Sequence, residues 1–162
     1  MEGQVSRSWP RHVIDDSLVG ADGVRLADVN GDGLLDVASG WEESGLTRVY
    51  LNPGPDFVRR PWPAVTVGAT PSVEDAVFAD LNGDGFMDVV SSSEGETKNI
   101  FVNWAPQDSA SYMKSAAWKS QVLVVPDARF QWMFSLPLQI DGLNGLDLVV
   151  GDGDADGQLD IG

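Results

Sequence analysis

The stretch Asp28-Val-Asn30-Gly-Asp32-Gly33-Leu-Leu-Asp36 recurs further along the chain as Asp80-Leu-Asn82-Gly-Asp84-Gly85-Phe-Met-Asp88. Both copies place a side-chain oxygen at positions 1, 3, 5 and 9 and a glycine at position 6. Calcium takes several oxygen ligands at flexible geometry, and the glycine permits the sharp turn that a short binding loop requires. The pattern therefore predicts two loops that bind Ca²⁺, which fits this donor set better than Mg²⁺ or a transition metal does.

The candidate ligands in each loop are the four oxygen-bearing side chains and the backbone carbonyl at position 7. They are Asp28, Asn30, Asp32, Leu34 and Asp36 in the first loop, and Asp80, Asn82, Asp84, Phe86 and Asp88 in the second. Without bound cations these carboxylates would repel one another, so we expect the stability of the fold to depend on the metal. A plain hairpin turn is the alternative explanation for an Asn-Gly-Asp-Gly cluster between apolar runs.

An EF-hand loop shares most of these spacings, but the sequence argues against one. An EF-hand requires a bidentate Glu at position 12, where this chain has Ser39 and Ser91. The runs on either side of each loop are short, rich in β-formers and bounded by glycine and serine, which is typical of strands and not of long helices. Each loop is therefore expected to join two strands.

The composition agrees with one all-β domain. The 162 residues include 18 Gly and 9 Pro spread throughout, as short strands joined by turns require. No stretch approaches the roughly 18–20 apolar residues of a membrane span, so no membrane insertion is expected. The formal net charge of −15 argues against a nucleic-acid partner. The first residues do not resemble a signal peptide and the chain has no cysteine, so these features indicate no compartment.

A longer unit surrounds each loop. Tryptophan opens a short β-like run at three corresponding positions, Trp9, Trp62 and Trp118, and two further strands joined by a hairpin follow each loop. Four strands per unit at this period predict the blades of a β-propeller, with a β-sandwich as the alternative. Within a single domain, 1–162, we divide the chain into an outer strand in 1–19, a first blade in 20–68, a second blade in 69–126 and an incomplete third blade in 127–162.

The units resemble FG-GAP/VCBS-type repeats, which are the calcium-loop blades of integrin-like propellers and of many extracellular bacterial proteins. The segments that carry the resemblance are Ala27–Val37 and Ala79–Val89. The resemblance implies that each loop lies between the first and second strands of a blade and binds Ca²⁺ through the four side chains named above. It also implies an extracellular or periplasmic location.

The third unit departs from this pattern. Its segment Asp141-Gly-Leu-Asn144-Gly-Leu-Asp147 is two residues short and lacks the central Asp-Gly, so weaker metal binding or none is expected there. The stretch 152–160 restores the full spacing at a different phase of the repeat, and it is either an extra calcium site or an acidic turn. The candidate ligands there are Asp152, Asp154, Asp156 and Asp160.

Three blades cannot close a ring, because propellers have four to eight. Either the chain is part of a longer propeller, or two copies associate into a ring of six blades. We expect a homodimer, in which Trp9–Asp15 of one chain completes the last blade of its partner. This arrangement would cover edge strands and apolar flanks that otherwise favour aggregation.

The function expected of such a ring is that of a calcium-stabilised interaction module with a carbohydrate or protein ligand. Aromatic rings are suitable platforms for sugars. Trp41, Trp104 and Trp132 do not recur at one repeat position, so they are the candidates for ligand binding. The tryptophans that do recur are better explained by packing.

A metal-dependent hydrolase is the alternative function, and it would be a calcium-dependent phosphoesterase or esterase acting on a small ester at the central channel. Asp22, Glu74 and Asp75 precede the loops by five or six residues, which places them at the far end of the innermost strand, near the axis. A metal ion with an open coordination position there could polarise a phosphoryl or carbonyl oxygen. A solvated loop is the competing explanation for these acids. His12, the only histidine, is expected to be an exposed strand residue.

Overall fold

A computed structural model of the chain describes residues 9–123, 131–138, 147–150 and 160–161. The strands in these ranges are β1 (Ala21–Ala27), β2 (Asp36–Trp41), β3 (Leu46–Tyr50), β4 (Ala64–Ala69), β5 (Val73–Ala79), β6 (Asp88–Ser93), β7 (Ile100–Trp104), β8 (Lys119–Leu123), β9 (Ser135–Leu138), β10 (Asp147–Val150) and β11 (Asp160–Ile161). A short 3-10 helix, Ser115–Ala117, precedes β8. The predicted all-β class is confirmed.

The strands form antiparallel sheets in which neighbours in sequence are neighbours in space. The first sheet has the order β1-β2-β3-β4, the second has the order β5-β6-β7-β8, and the last strands form a sheet of order β11-β10-β9. The two four-stranded sheets share one register. Val37 pairs with Leu26 and Tyr50, and its counterpart Val89 pairs with Phe78 and Asn103.

The first and second sheets pack face to face, and their contact forms the largest part of the core. Ala38 and Val49 of the first sheet and Ala76 and Val89 of the second are each 0 % exposed in this cluster. Full burial of a side chain such as valine stabilises the fold by about 1.5–3 kcal/mol. β2 and β6 are buried along their whole length. Each lies between two strands of its sheet with one face against the other sheet; the second face of β2 is covered by Ile14 and Leu18, and that of β6 by Trp132.

Small residues and hydroxyl groups allow the two sheets to approach closely. A Cβ atom at Gly40 would lie 2.7 Å from Cγ2 of Val73, so only glycine fits opposite that valine. Buried hydroxyl groups also link the sheets: Oγ1 of Thr47 in β3 lies 2.9 Å from Oγ of Ser91 in β6, and 2.7 Å from Oγ1 of Thr70, which follows β4 of its own sheet. Each of these groups is thus paired, which removes the cost of burying it.

The N-terminal segment, residues 9–20, contains no strand, so the expected outer strand at Trp9–Asp15 is not formed within the single chain. The segment lies instead across the first sheet. Ile14 and Leu18 pack against a buried cluster that includes Trp41. His12 is exposed, as expected, but it lies outside any strand.

One ionic contact fixes this segment on the sheet. Oδ2 of Asp15 accepts hydrogen bonds from Nη1 of Arg48 at 2.6 Å and from Oη of Tyr50 at 2.8 Å. Burial alone would raise the pKa of Asp15, but these bonds and those from Ser17 outweigh it and lower the pKa to about 2. The segment is therefore held by side-chain contacts and by isolated backbone hydrogen bonds, such as that from the N–H of Trp62 to the carbonyl oxygen of Ile14 at 2.9 Å, and not by strand pairing.

The recurring tryptophans differ in their surroundings. Trp118 is buried, and its Nε1 donates to the carbonyl oxygen of Tyr112 at 2.8 Å. Trp62 is half-buried and donates to the carbonyl oxygen of Val58 at 3.0 Å. Packing explains these two residues, as expected. Trp9 differs, since it is 93 % exposed in a segment that joins no sheet.

Among the described residues, no helix has the length and apolar character needed to cross a membrane.

Candidate functional site

The two acidic loops, residues 28–35 and 80–87, connect the first and second strands of their sheets. Gly33 and Gly85 adopt φ values of +83° and +87°, in the left-handed region that residues with a Cβ atom avoid. This conformation turns the backbone so that the N–H of each glycine donates to position 1 of its own loop. The distance from the glycine nitrogen to Oδ2 of Asp28 or Asp80 is 2.9 Å in both loops.

Most of the remaining hydrogen bonds inside the loops also correspond; the exception among the described residues is the N–H of Gly31, which donates to Oδ1 of Asp28 at 2.8 Å in the first loop alone. In both, the backbone N–H of position 5 donates to position 3 and to position 1, and the backbone N–H of position 7 donates to position 5. The backbone nitrogen of position 5 lies 3.0 Å from Oδ1 of position 3 in each loop, that is, from Asp32 to Asn30 and from Asp84 to Asn82. The backbone nitrogen of position 7 lies close to Oδ1 of position 5, at 2.8 Å for Leu34 and Asp32 and at 2.9 Å for Phe86 and Asp84. The two loops therefore share one geometry.

Position 9 has a different environment from the other oxygen-bearing positions. Asp36 and Asp88 are 0 % exposed, at the start of β2 and β6. Each carboxylate accepts one backbone N–H from its own loop and one from the residue shortly after the third strand of the sheet. Burial raises the pKa of both groups, these backbone bonds lower it, and the loop carboxylates raise it further. Each Asp thus fastens its loop to the following hairpin.

The residues present fit a hard cation. Carboxylate and amide oxygens at positions 1, 3 and 5 lie together on one short turn, and such oxygens are the ligands that calcium prefers. A carboxylate oxygen that accepts one N–H keeps a second lone pair. Asp36 and Asp88 therefore retain acceptor capacity beneath the turn, even though both of their oxygens already bind backbone donors.

Comparison with protein families matches residues 28–91 to a family described as an FG-GAP-like repeat. The chain therefore contains an FG-GAP-type repeat. The match begins at the first ligand position of the first loop and ends in β6, so it includes both acidic loops and extends over less than half of the chain. A comparison with curated proteins gives no match.

A second acidic cluster lies at the end of the two four-stranded sheets opposite the loops. Glu42, Glu74 and Glu94 bring carboxylate oxygens within 4.8 Å of one another. Glu42 and Glu94 directly follow β2 and β6, and Glu74 lies in a bulge of β5. Burial and the surrounding acids, which are Glu94, Glu42, Asp22 and Glu43, raise the pKa of Glu74 to about 7.

The structure separates the three acids that the sequence places at the channel. Glu74 belongs to the acidic cluster, and Asp22 is close enough to raise the pKa of Glu74. Asp75 differs: it is 1 % exposed, and its Oδ2 lies 2.8 Å from Nη2 of Arg25. Asp75 is thus held in a buried ion pair with Arg25, and its catalytic role stays a prediction, as do those of Asp22 and Glu74.

Sequence reasoning missed Glu42 and Glu94. Both occupy the first position after the second strand of a repeat, in Trp41-Glu42 and Ser93-Glu94. Their equivalent positions could therefore have identified them as a pair from the sequence. Their proximity to Glu74 depends on how the two sheets stack, and the spacing along the chain does not give this information.

Two of the three candidate ligand-binding tryptophans are core residues. Trp41 is 7 % exposed, and its Nε1 donates to Oη of Tyr50 at 2.8 Å. Trp132 is 4 % exposed and packs in a cluster with Val77 and Val90 of the second sheet. Neither offers an accessible ring face to a sugar, because the sheets and the N-terminal segment cover them.

Trp104 is the candidate that stays half-buried. Its Nε1 donates to Oε1 of Gln121 at 3.0 Å. The residue lines a cavity of about 370 Å³ beside the second acidic loop, together with Asn82, Gln107 and Lys119. This surface combines an aromatic ring with amides and one cation, a set suited to a polar ligand.

The remaining candidate ligands fall largely outside the described residues. Asp152, Asp154 and Asp156 lie there, as does the segment 141–146. Asp147 begins β10 and Asp160 begins β11, and the structure describes the backbone of these strands alone.

Proposed function

We propose that the chain is a calcium-stabilised interaction module of the β-propeller type that binds a carbohydrate or a protein. The single observation that carries the proposal is the repeated geometry of the two acidic loops, each with its oxygen donors gathered on one turn. Asp28, Asn30 and Asp32 would hold the ion in the first loop, and Asp80, Asn82 and Asp84 in the second. Asp36 and Asp88 and the carbonyl oxygens of Leu34 and Phe86 would complete the two sets.

The bound calcium would supply positive charge that neutralises the loop carboxylates. The residues of the chain fix the conformation of each loop and of the hairpin beside it. Position 9 fastens each loop to the end of the third strand, so a loop held in one conformation also fixes the hairpin beside it. With several protein oxygens around each ion, little room is left for a substrate, which favours a structural role over a catalytic one.

The stacking of successive four-stranded sheets supports the propeller arrangement, because blades pack face to face in the same way. The outward face of the first sheet (Val24, Leu26, Val37, Ser39 and Trp41) supports association with a further blade. Val24 and Leu26 are 55 % and 57 % exposed on this face. Their counterparts in the second sheet, Ala76 and Phe78, pack against the first sheet. Two chains joined through such faces would complete six blades.

The ligand would bind near Trp104, since this tryptophan retains an accessible surface next to the second loop. Calcium bound in that loop would fix the position of Asn82 at the edge of the cavity. The chemistry of the lining residues favours a polar ligand that stacks on an aromatic ring, such as a sugar.

Thermal unfolding tests the calcium proposal directly. Chelation should lower the melting temperature, and Ca²⁺ should restore it better than Mg²⁺. At a calcium concentration 100-fold above Kd, each site should add about 2.7 kcal/mol, which corresponds to roughly 5–10 °C in a domain of this size. Identical melting curves with chelator and with excess Ca²⁺ would contradict the proposal.

A metal-dependent hydrolase is the second candidate, and the acidic cluster of Glu42, Glu74 and Glu94 favours it. The test is turnover of simple phosphoester and carboxyl-ester substrates in the presence of Ca²⁺. An enzyme should lose turnover in Glu74→Gln while its calcium-dependent stability is retained, and Asp28→Asn should weaken the fold first. Absence of turnover above background in the unsubstituted protein would reject this candidate.

A further inference from the structure

The second acidic loop has a side-chain partner that the first loop lacks. Nε2 of Gln107 donates to Oδ2 of Asp84 at 2.9 Å. Asp84 occupies position 5 of its loop, where the first loop has Asp32. Among the hydrogen bonds of the described residues, Asp32 accepts only from Asn30 and Leu34, both within its own loop.

The repeat explains why only one loop has this partner. The backbone N–H groups of Asn52 and Ala105 bind the position 9 carboxylates of the two loops, so these residues are equivalent. Two residues further along, the first repeat has Gly54 and the second has Gln107. Glycine has no side chain, so the first loop has no donor at this position.

Gln107 completes the fixation of the Asp84 carboxylate. Oδ1 accepts the backbone N–H of Phe86 at 2.9 Å, and Oδ2 accepts Nδ2 of Asn82 at 3.0 Å in addition to Gln107. Asn82 is itself a candidate ligand, whereas Gln107 lies outside the proposed ligand set. A donor of this kind orients a carboxylate and leaves other lone pairs to the metal.

We infer that Gln107 is a positioning residue that makes the second loop the tighter of two calcium sites. The inference rests on the proposed function, since it requires that the loops bind Ca²⁺. Groups that orient metal ligands from outside the coordination shell typically change affinity by about 10–100-fold. The first loop provides an internal reference, because it has the same oxygen-bearing positions and no such side-chain donor; it differs otherwise in the bond from the N–H of Gly31 to Asp28.

The experiment measures Ca²⁺ binding by isothermal titration calorimetry on full-length chains with one loop disabled. Asp32→Ala leaves the second loop intact, and Asp84→Ala leaves the first. For each of these two variants, the Ca²⁺ affinity is measured with Gln107 in place and again after Gln107→Met. This substitution removes the donor and keeps the length of the side chain. In the Asp32→Ala background, Gln107→Met should weaken binding about tenfold or more. In the Asp84→Ala background it should leave the affinity unchanged.

Any one of three results would overturn this inference and leave the proposed function standing: unchanged affinity of the second loop, tighter binding after Gln107→Met, or an equal loss of affinity in both backgrounds. Failure of the unsubstituted protein to bind Ca²⁺ would overturn the proposed function as well, so the two failures are distinguishable. If a single-loop background does not fold, the unsubstituted protein and Gln107→Met are compared in a two-site titration. The loss should then fall on the tighter site, and a loss at the weaker site would contradict the inference.

Discussion

At the scale of single residues, the carboxylates of this chain differ in what surrounds them. Asp84 accepts hydrogen bonds from the backbone N–H of Phe86 and from Gln107, which lower its pKa. Burial raises the pKa of Glu74, and the neighbouring acids raise it further, with no cation nearby among the described residues to offset them. The same chemical group is therefore stabilised in its charged form at one end of the sheets and destabilised at the other.

Replacement of Glu74 by Gln should stabilise the protein at pH 8. The pKa of Glu74 is raised from 4.5 to about 7, so the folded chain binds this proton more tightly than the unfolded chain does. Its contribution to stability is then present below pH 4.5 and is lost as the pH rises through 7. Because solvent screens the partly exposed cluster, the expected rise in melting temperature is small, about 1–2 °C.

The measurement is thermal unfolding of Glu74→Gln and of the unsubstituted protein between pH 5 and pH 8. Glu96→Gln is the matched control, since Glu96 is an exposed acid in the turn between β6 and β7, two residues after Glu94 of the acidic cluster. The gain from Glu74→Gln should shrink towards pH 5. A gain that is constant over the whole range would show that electrostatic repulsion is not its cause.

At the scale of elements, the N-terminal segment is held on the first sheet by one charged contact, a few apolar side chains and isolated hydrogen bonds, among them that from the N–H of Trp62 to the carbonyl oxygen of Ile14. Asp15, Arg48 and Tyr50 form that contact, with the Asp15 and Arg48 side chains 9 % and 20 % exposed. Neighbouring strands do not pair with the segment, so its position depends on these groups.

Asp15→Asn should therefore destabilise the protein at pH 7 by about 1–3 kcal/mol, the cost of losing hydrogen bonds to a charged, largely buried group. The folded pKa of about 2 lies below the ordinary value of 3.8, so the contribution is present above pH 3.8 and is lost as the pH falls through 2. Urea unfolding at pH 7 and at low pH measures both effects. Asp16→Asn, at an exposed neighbour, should have little effect; an equal loss in that variant would contradict the assignment.

The parts of these elements that the sequence could predict are the local ones. The loop pattern predicts that strands flank residues 28–35 and 80–87, because turn chemistry acts over a few residues. The N-terminal segment shows the opposite case. Its β-like sequence predicts a strand, but Asp15 finds partners on the first sheet that lie more than thirty residues away in sequence. Contacts of that kind override local preference.

The same distinction applies to the candidate site. The positions of the loop oxygens follow from a short motif, so they were predictable from the sequence. The cluster of Glu42, Glu74 and Glu94 and the ion pair of Asp75 with Arg25 arise where two sheets meet. Trp41 is a similar case. The residues next to it in sequence do not indicate that it is buried, because Ile14 and Leu18, which cover it, lie far from it along the chain.

At the scale of the whole molecule, the outward face of the first sheet is the main feature without a partner sheet among the described residues. Its side chains occupy positions that are packed in the second sheet, and the N-terminal segment covers only part of it. Val24 and Leu26 remain more than half exposed. Apolar surface of this kind favours association.

We predict that the protein forms a stable dimer in calcium-containing buffer, with a buried interface above about 2,000 Å². Sedimentation equilibrium at micromolar concentration measures the mass. Val24→Lys combined with Leu26→Lys should shift the mass towards that of a monomer, since two charges would be desolvated at the interface. The matched control is Val122→Lys, at an exposed residue of β8. A monomeric unsubstituted chain would refute the dimer.

The buried carboxylates Asp36 and Asp88 have a consequence for how such a protein can evolve. Each one joins its loop to a strand end of the same sheet, and among the described residues neither bonds to the neighbouring sheet. The hydrogen bonds that fix the shape of a loop are therefore contained within one repeat. Val29 and Phe86 also pack at the contact between the sheets, but duplication or deletion of a repeat would leave the hydrogen bonds of every other loop intact, so selection can alter the number of repeats without rebuilding an acidic loop.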